Sequence, residues 1–333
     1  MRPLVSMHGF LCRKEGLEMK KDVLAIGELN ADLILQGLAT VPLLGREILC
    51  KNSDLQLGSS TAICACVMAS LGLKTGFVGH LGTDTWGKVC ETYLHRYGVD
   101  TAHVLQEESL QTGLTVSLSC GHDRALVTHQ GDTIDCLTAD KLPPQPWLEA
   151  RHIHIGAFFL QTKLAAGLPA FLEKAKAHGM TLSLDAGWQE SQTWDNGLSQ
   201  VLPYIDVFFP NESETCGIGG SDDVRQAALR VHSMMKNGTL VVKRGPQGAL
   251  AIRGDETIEQ GAYKTKVIDT TGAGDSFNAG FLYAYLNNMD LARCLNYGNA
   301  AGAVSVTKMG GTSQCPTLHE VENCIRHGET FGS

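Results

Sequence analysis

No apolar run in this 333-residue chain reaches the eighteen or so residues that a membrane-spanning helix needs, so no membrane-embedded role is expected. There is no basic excess either. Lys and Arg number 27 against 35 Asp and Glu, a net charge of −8, without long runs of one sign. That balance argues against nucleic acid or an anionic membrane as the main partner, though a local basic pocket for phosphates remains compatible with it. CxxC pairs are also missing. The eleven cysteines are scattered, and the closest pair, Cys64 and Cys66, has the wrong spacing and no His/Cys cluster beside it. Neither a zinc site nor a disulfide framework is expected, and reduced thiols buried in a cytoplasmic protein are the reading that fits. Internal repeats, low-complexity segments and an obvious interdomain linker are absent. The first nineteen residues carry Arg2, Arg13 and Lys14 around a broken apolar stretch with no small-residue cleavage site. They read as an extension, 1–19, without fixed structure, ahead of a domain over 20–333.

With 43% hydrophobic and 19% charged residues, the rest has the composition of an ordinary globular protein. Short apolar strands alternate with helical periodicity: strand 23–27, helix 60–71, strand 75–79, helix 85–97. The alternation resumes with strand 152–156, helix 164–178, strand 181–185, a short helix near 194–202, strand 206–209, helix 222–236 and strand 240–243. Such a rhythm predicts an α/β fold with a parallel sheet covered on both faces. Two stretches, 33–57 and 113–130, break it with extended, β-rich runs. They read either as one small sheet projecting from the main one or as two ordinary surface hairpins.

The most informative segment is 269–281, DTTGAGDSFNAGF. Residues 263–268 before it read as a strand, and Phe277, Phe281 and Tyr285 after it recur at helical spacing, predicting a helix over 276–286. Gly272 and Gly274 let the backbone turn sharply and approach a ligand closely. The free N–H groups of the first helical turn then suit a phosphate or another oxyanion. Asp275 stands out, because a carboxylate repels the phosphate that such a turn binds. Taken alone, a helix cap explains it as well as a catalytic base does. The flanking Thr270, Thr271, Gly272 and Gly274 favour the base, since a plain cap does not need them. The helix dipole is expected to keep the carboxylate ionised, ready to accept a proton from a hydroxyl.

Other candidates carry simpler explanations beside the functional ones. The spacing from Gly82 to Gly87, Lys88 and Val89 imitates a Walker A loop, but Val89 stands where a magnesium-binding Ser or Thr is required. Gly272 and Gly274 fail as a dinucleotide fingerprint, because Phe277 holds the third glycine position. Asn211 and Glu214 follow a strand at its carboxyl end, where α/β ligands bind. They also fit an N-cap with its capping-box glutamate, and both roles can hold together. Lys243, Gly245 and Gly248 in KRGPQG read, in isolation, as a hairpin turn. Asn30 and Asp32 read as polar turn chemistry. His152 and His154 share one strand face but lack a third metal ligand, so ordinary hydrogen-bonded histidines are expected. Asp185 ends a strand, and its role stays open.

Together these pieces resemble the PfkB carbohydrate kinase family, the ribokinase-like sugar kinases, over residues 22–320. DTTGAGDSFNAGF resembles the family's C-terminal signature. GELNAD at 27–32, the Gly-containing turn at 57–62, LGLKTGFVGHLGTDTWG at 71–87, PNESE at 210–214 and VKRGPQG at 242–248 follow in the matching order. The resemblance implies a ribokinase-like three-layer α/β/α sandwich, with a mostly parallel central sheet and a small β-sheet lid near 33–57 and 113–130. It implies that Asp275 is the general base and that Gly272, Ala273 and Gly274 form an anion hole for the transferring phosphoryl group. Asn211 and Glu214 would place Mg2+ and the ATP phosphates, and Lys243, Gly245, Gly248 and Asn299 would border the nucleotide. Asn30, Asp32, Gly58 and Ser59 would bind the sugar. In some members a monovalent cation such as K+ sits near the anion hole, and the matching ligands here would lie at Asp269, Thr271 and Gly311. The partners implied are a small sugar and ATP, with a homodimer through the lid.

The sugar pocket departs from the ribokinase pattern. In GSSTAI, residues 58–63, Ser59 replaces the second glycine and Ile63 stands where an asparagine contacts the sugar. Losing that amide changes which hydroxyls can be read, so ribose is not the expected substrate. The stretch 183–189, SLDAGWQ, also differs from ribokinase's Asn-Pro pattern. A nucleoside or sugar-phosphate kinase on the same fold is the alternative, with Arg46 and Arg124 the basic residues to bind an extra phosphate. A non-catalytic sugar-binding regulator is disfavoured by the intact Asp275.

Overall fold

The computed structural model describes residues 20–120, 123–188 and 193–331; the 1–19 extension lies outside the described residues. Thirteen strands are found among them. β1 (Lys21–Ile26), β4 (Thr75–Gly82), β5 (Asp100–Glu107), β8 (Ala150–Ile155), β9 (Thr181–Leu184), β10 (Val207–Phe208), β11 (Thr239–Lys243), β12 (Ala249–Arg253) and β13 (Glu256–Gln260) form one sheet. Its order is β13-β12-β11-β10-β9-β8-β1-β4-β5, and the strands from β11 through β5 are parallel neighbours. Only the β11–β12 and β12–β13 pairs are antiparallel, so the turn at KRGPQG is a hairpin as well as a candidate site. The chain places β4 on one side of β1 and returns to place β8 on the other. That reversal opens a crevice at the carboxyl ends of the strands.

The remaining strands, β2 (Asn30–Leu38), β3 (Asn52–Leu57), β6 (Gly113–Cys120) and β7 (Asp123–His129), make a separate four-stranded sheet in the order β3-β2-β6-β7. The two irregular stretches are therefore not independent hairpins. β2 and β6 pair in parallel from Asn30 opposite Gly113, joining segments some eighty residues apart.

The helices are α1 (Ser60–Ser70), α2 (Thr85–Arg96), α3 (Thr162–Ala165), α4 (Leu168–Ala177), α5 (Leu198–Val201), α6 (Glu212–Gly219), α7 (Val224–Met234), α8 (Ala273–Leu286), α9 (Leu291–Ser305) and α10 (Leu318–His327). Two hydrophobic cores separate the layers. One holds Ile63, Met68, Phe77, Phe209 and Phe281 under α1, α2, α8 and α9. The other holds Leu24, Ile155, Phe158, Phe208 and Val231 under α4, α5 and α7. Alternate residues of a strand face opposite layers, which is why Phe208 and Phe209 belong to different cores. The architecture is the three-layer α/β/α sandwich with a small accompanying sheet.

Three local expectations change. The helix read over 164–178 is broken into α3 and α4, with Gly167 and Pro169 at the break; proline is tolerated only in the first turn of a new helix. Residues 264–268 form no strand: Tyr263 makes a lone bridge to Thr330, and the Ile268 and Asp269 N–H groups donate to the Val306 carbonyl after α9 rather than to a strand. The helix after the glycine turn starts at Ala273 rather than 276. Gly274 and Asp275 thus lie inside its first turn. No disulfide joins the described cysteines, of which Cys64, Cys66, Cys90, Cys294 and Cys315 are buried and Cys50 is exposed.

Candidate active site

Five strand ends converge on one place. Gly27 follows β1, Gly156 follows β8, Asp185 follows β9, Asn211 follows β10, and Lys243 ends β11. The turn into α8 faces them. Gly272 caps that helix in the left-handed region at φ 74°, and an added Cβ would lie 3.0 Å from both Gly311 Cα and Ile63 Cγ2. Glycine is required on both counts. The N–H groups at the start of α8 are suited to an oxyanion, although that of Ala273 makes a long bond to the Thr270 carbonyl, 3.3 Å.

Lys243 stands beside this turn, its ammonium 3.6 Å from where a Cβ on Gly274 would be. Its Nζ donates to Asp185 Oδ2 at 2.5 Å, and Asn278 Nδ2 donates to the same oxygen at 2.7 Å. Asn278 lies three residues after Asp275 on α8, so one helix face presents both to the strand ends. Burial pushes the Asp185 carboxyl up, but Lys243 and Asn278 outweigh it and hold the group below its ordinary range. Burial would lower Lys243, yet Asp185, Glu214 and Asp275 keep it above its ordinary value and charged.

Asn211 and Glu214 form a complete capping box on α6. Asn211 Oδ1 accepts from Glu214 N–H at 2.9 Å, and Glu214 Oε2 accepts from Asn211 N–H at 2.8 Å. That leaves the Glu214 carboxyl buried near the cluster. Burial, then the Asp185 charge, push it up to about 7, with Lys243 opposing. Asp275 behaves likewise. The helix terminus alone predicts an ionised carboxylate, but burial dominates and Asp185 adds to it. Lys243 opposes, Glu28 and Glu214 reinforce, and the group stands well above the ordinary carboxyl range. A first-turn dipole is worth roughly 0.3–1 kcal/mol, too little against desolvation of several kcal/mol.

A cavity of about 340 Å³ opens from this point, lined by Lys243, Gly245, Gly248, Gly274, Phe277 and Asn299 among others. Asn299 is buried, with its Nδ2 donating to the Gln260 and Gly261 carbonyls. Gly248 sits at φ 87°, and a Cβ there would fall 1.9 Å from the Gln260 carbonyl oxygen. The cavity thus has a charged end at Lys243 and the α8 turn, and a largely apolar remainder. A nucleoside triphosphate has that polarity, so the residues present fit ATP.

On the other side, α1 brings the four-stranded sheet to the turn. Asn30 Nδ2 donates to Asp32 Oδ1 at 3.0 Å, and Gly58 lies against both, since a Cβ there would be 2.2 Å from that oxygen. Ser59 adopts φ 66°; its hydroxyl donates to the Glu28 carbonyl and accepts from Ala62 N–H, capping α1. Ile63, one turn on, packs on Gly272 and Gly311. Glu28 is buried beneath, its carboxylate accepting from Thr61 Oγ1 at 2.7 Å. Asp269 ties the remaining loops together: Oδ1 accepts from Thr271 N–H and its hydroxyl, and Oδ2 accepts from Gly310 N–H. Asp269, Thr271 and Gly311 are thereby gathered beside the turn.

Residues 20–318 match the family described as pfkB family carbohydrate kinase. The chain belongs to the pfkB family of carbohydrate kinases. It is similar to the ribokinase of Haemophilus influenzae, 27% identical over 93% of this chain and 100% of the relative. The 5-dehydro-2-deoxygluconokinase of Geobacillus thermodenitrificans is 27% identical over 81% of this chain and 84% of its own. A structure of a putative ribokinase II from E. coli with ATP and Mg2+ superposes with a TM-score of 0.81, at 23% identity, covering 92% and 100% of the two chains. The protein is an ATP-dependent phosphotransferase with an alcohol group as acceptor. Among the described residues no helix is long and apolar enough to cross a membrane.

Glu28, Asn278 and the ion pair between Asp185 and Lys243 were not visible as site components in the sequence. Asp185 had only its position at a strand end to recommend it. Asn278 had a detectable signal: its spacing from Asp275 puts both on one face of α8. His152 and His154 are ordinary buried histidines, bonded to Thr181 and Ser183. The Walker-like glycines merely flank the start of α2, where Asp84 Oδ1 accepts from Gly87 N–H. The Arg124 side chain lies outside the described residues.

Proposed function

We propose that this site moves the γ-phosphoryl group of ATP to one hydroxyl of a small sugar or sugar-like acceptor, with Asp275 as general base. The observation that carries the reading is the position of Asp275 in the first turn of α8, directly after the glycine turn and facing a buried ammonium. Gly272 and Gly274 would present backbone N–H groups to the transferring phosphoryl oxygens, and Ala273, whose N–H donates to the Thr270 carbonyl at 3.3 Å, would join them once that long bond is given up. Lys243 adds positive charge where negative charge accumulates. A carboxyl with a raised pKa makes a stronger base once the acceptor hydroxyl is held against it. Asn211, bridged to Lys243 at the charged end of the cavity, and Glu214 would hold Mg2+ through its water shell. Bound there, Mg2+ would neutralise charge on the phosphates. Gly245, Gly248 and Asn299 border the nucleoside, and Asp269, Thr271 and Gly311 would offer oxygen ligands to a monovalent cation.

Asn30, Asp32, Gly58 and Ser59 form the acceptor side. The four-stranded sheet built from 30–57 and 113–129 serves as the lid that excludes water. Within a domain spanning 20–333 it would also offer a surface for homodimerisation, where Leu126 and Val127 of β7 are exposed, one on each face of the sheet. Ile63 places an apolar side chain beside Gly272, favouring an acceptor with no hydroxyl at the carbon nearest it. One relative is named for a 2-deoxy substrate. The deciding experiment measures ADP release over pentoses, hexoses, deoxy sugar acids, nucleosides and sugar phosphates, with Asp275→Asn alongside. Turnover in Asp275→Asn equal to the natural protein would remove the base assignment.

A further inference from the structure

The family match ends at residue 318, yet one wall of the nucleotide cavity is made by residue 331. After α10 the chain closes at Gly328, whose N–H donates to the Cys324 carbonyl at 2.8 Å. A Cβ on Gly328 would come within 2.6 Å of the Tyr263 ring, so the chain passes directly over that tyrosine. Residues 329–331 then run against 262–264. Lys264 N–H donates to the Glu329 carbonyl at 2.7 Å, and Phe331 N–H donates to the Ala262 carbonyl at 2.8 Å. Between them Thr330 pairs with Tyr263 in an antiparallel bridge. The two segments touch most closely at Gly261, where a Cβ would lie 2.2 Å from the Phe331 carbonyl oxygen.

Phe331 lines the cavity together with Pro246, Ala262, Ala303 and Val306 and is 49% exposed. Lys243 and the glycine turn mark the phosphate end. Phe331 is pinned to Ala262 instead, next to the Gly261 carbonyl that holds Asn299 and among apolar groups. An aromatic ring left half bare in an apolar cavity gains by being covered, and a purine offers a flat face that suits it. We propose that Phe331 is a wall of the base subsite, packing against the purine of ATP, and that the pairing of 329–331 with 262–264 holds it there. This rests on reading the cavity as the ATP site.

The test is calorimetric binding of Mg-ATP and of Mg-tripolyphosphate to the full chain and to Phe331→Ala, Phe331→Trp and Gly261→Ala. Phe331→Ala is expected to weaken Mg-ATP roughly tenfold, the scale of one base–aromatic contact, while tripolyphosphate binding is unchanged. Phe331→Trp should bind Mg-ATP as the natural protein does. Gly261→Ala, which pushes the tail away, should reproduce the selective loss. Unchanged Mg-ATP binding in Phe331→Ala overturns the proposal, and so does equal weakening of both ligands, which would make the tail a scaffold only. If the natural protein binds neither ligand, the ATP-site reading itself fails, a result distinct from the other two.

Discussion

Replacing Lys243 by methionine separates the structural from the chemical use of the buried ion pair. The two side chains are 15% and 7% exposed and meet at 2.5 Å. Removing the ammonium leaves Asp185 charged among Glu214 and Asp275, with no neighbouring cation inside the cluster. Breaking a buried pair from one side costs about 3–5 kcal/mol. Asn278 Nδ2 and Gly187 N–H still donate to Asp185, so the lower end, about 3 kcal/mol, applies. For a chain of this size that is a fall in Tm of roughly 4 °C. Asp185 can escape by taking up a proton, so the loss should be larger at pH 8 than at pH 5. The double variant Asp185→Asn/Lys243→Met removes both charges and should regain most of the stability. Its kcat should nevertheless stay as low as that of Lys243→Met, because the charge facing the phosphoryl group is still missing. Scanning calorimetry at both pH values and a coupled ADP-release assay read the two effects. A Lys243→Met protein with the natural Tm, or a double variant no more stable than the single, would refute the reasoning.

Asp275→Asn should lower kcat by roughly 10²–10⁴-fold, the usual range for loss of a general base, while calorimetry finds Mg-ATP binding retained. The Glu214 carboxyl is raised from 4.5 to about 7 in the folded protein, so the folded state binds more protons than the unfolded one between those values. Its contribution to stability without ligands should therefore fall as pH rises from about 4.5 to about 7, read by urea titration as the difference between the natural protein and Glu214→Gln. That difference should shrink as pH rises through about 7; a difference that does not change with pH would contradict the assignment. Gly58→Ala would drive a methyl group into Asp32 and should raise the KM for the sugar several-fold without moving that for ATP, as steady-state kinetics would report.

Much of the site was legible because its pieces are local. The glycine turn with Asp275, the Asn211–Glu214 capping box and the KRGPQG turn are each written within a few consecutive residues. Their backbone conformations follow from glycine, proline and capping chemistry with little help from the rest of the chain. Strand and helix alternation likewise made the parallel sheet readable, since burial on two faces leaves apolar runs that need no knowledge of partners. The local signal misled in two places: residues 263–268 have strand composition but are held by the 329–331 segment and the Val306 carbonyl instead of by a sheet strand, and Pro169 breaks what periodicity alone presents as one helix.

The sequence by itself determined the family, the reaction class and the order of the family's motifs along the chain. Tertiary structure alone decided which charges meet. Asp185 and Lys243 are fifty-eight residues apart, and only the adjacency of β9, β10 and β11 brings the two charges together. Asp275 shows the difference most directly. By its place on a helix it should be ionised, yet burial beside Asp185, Glu28 and Glu214 raises its pKa well above the ordinary range. Desolvation and the fields of distant charges depend on packing, which no spacing of residues along a chain records.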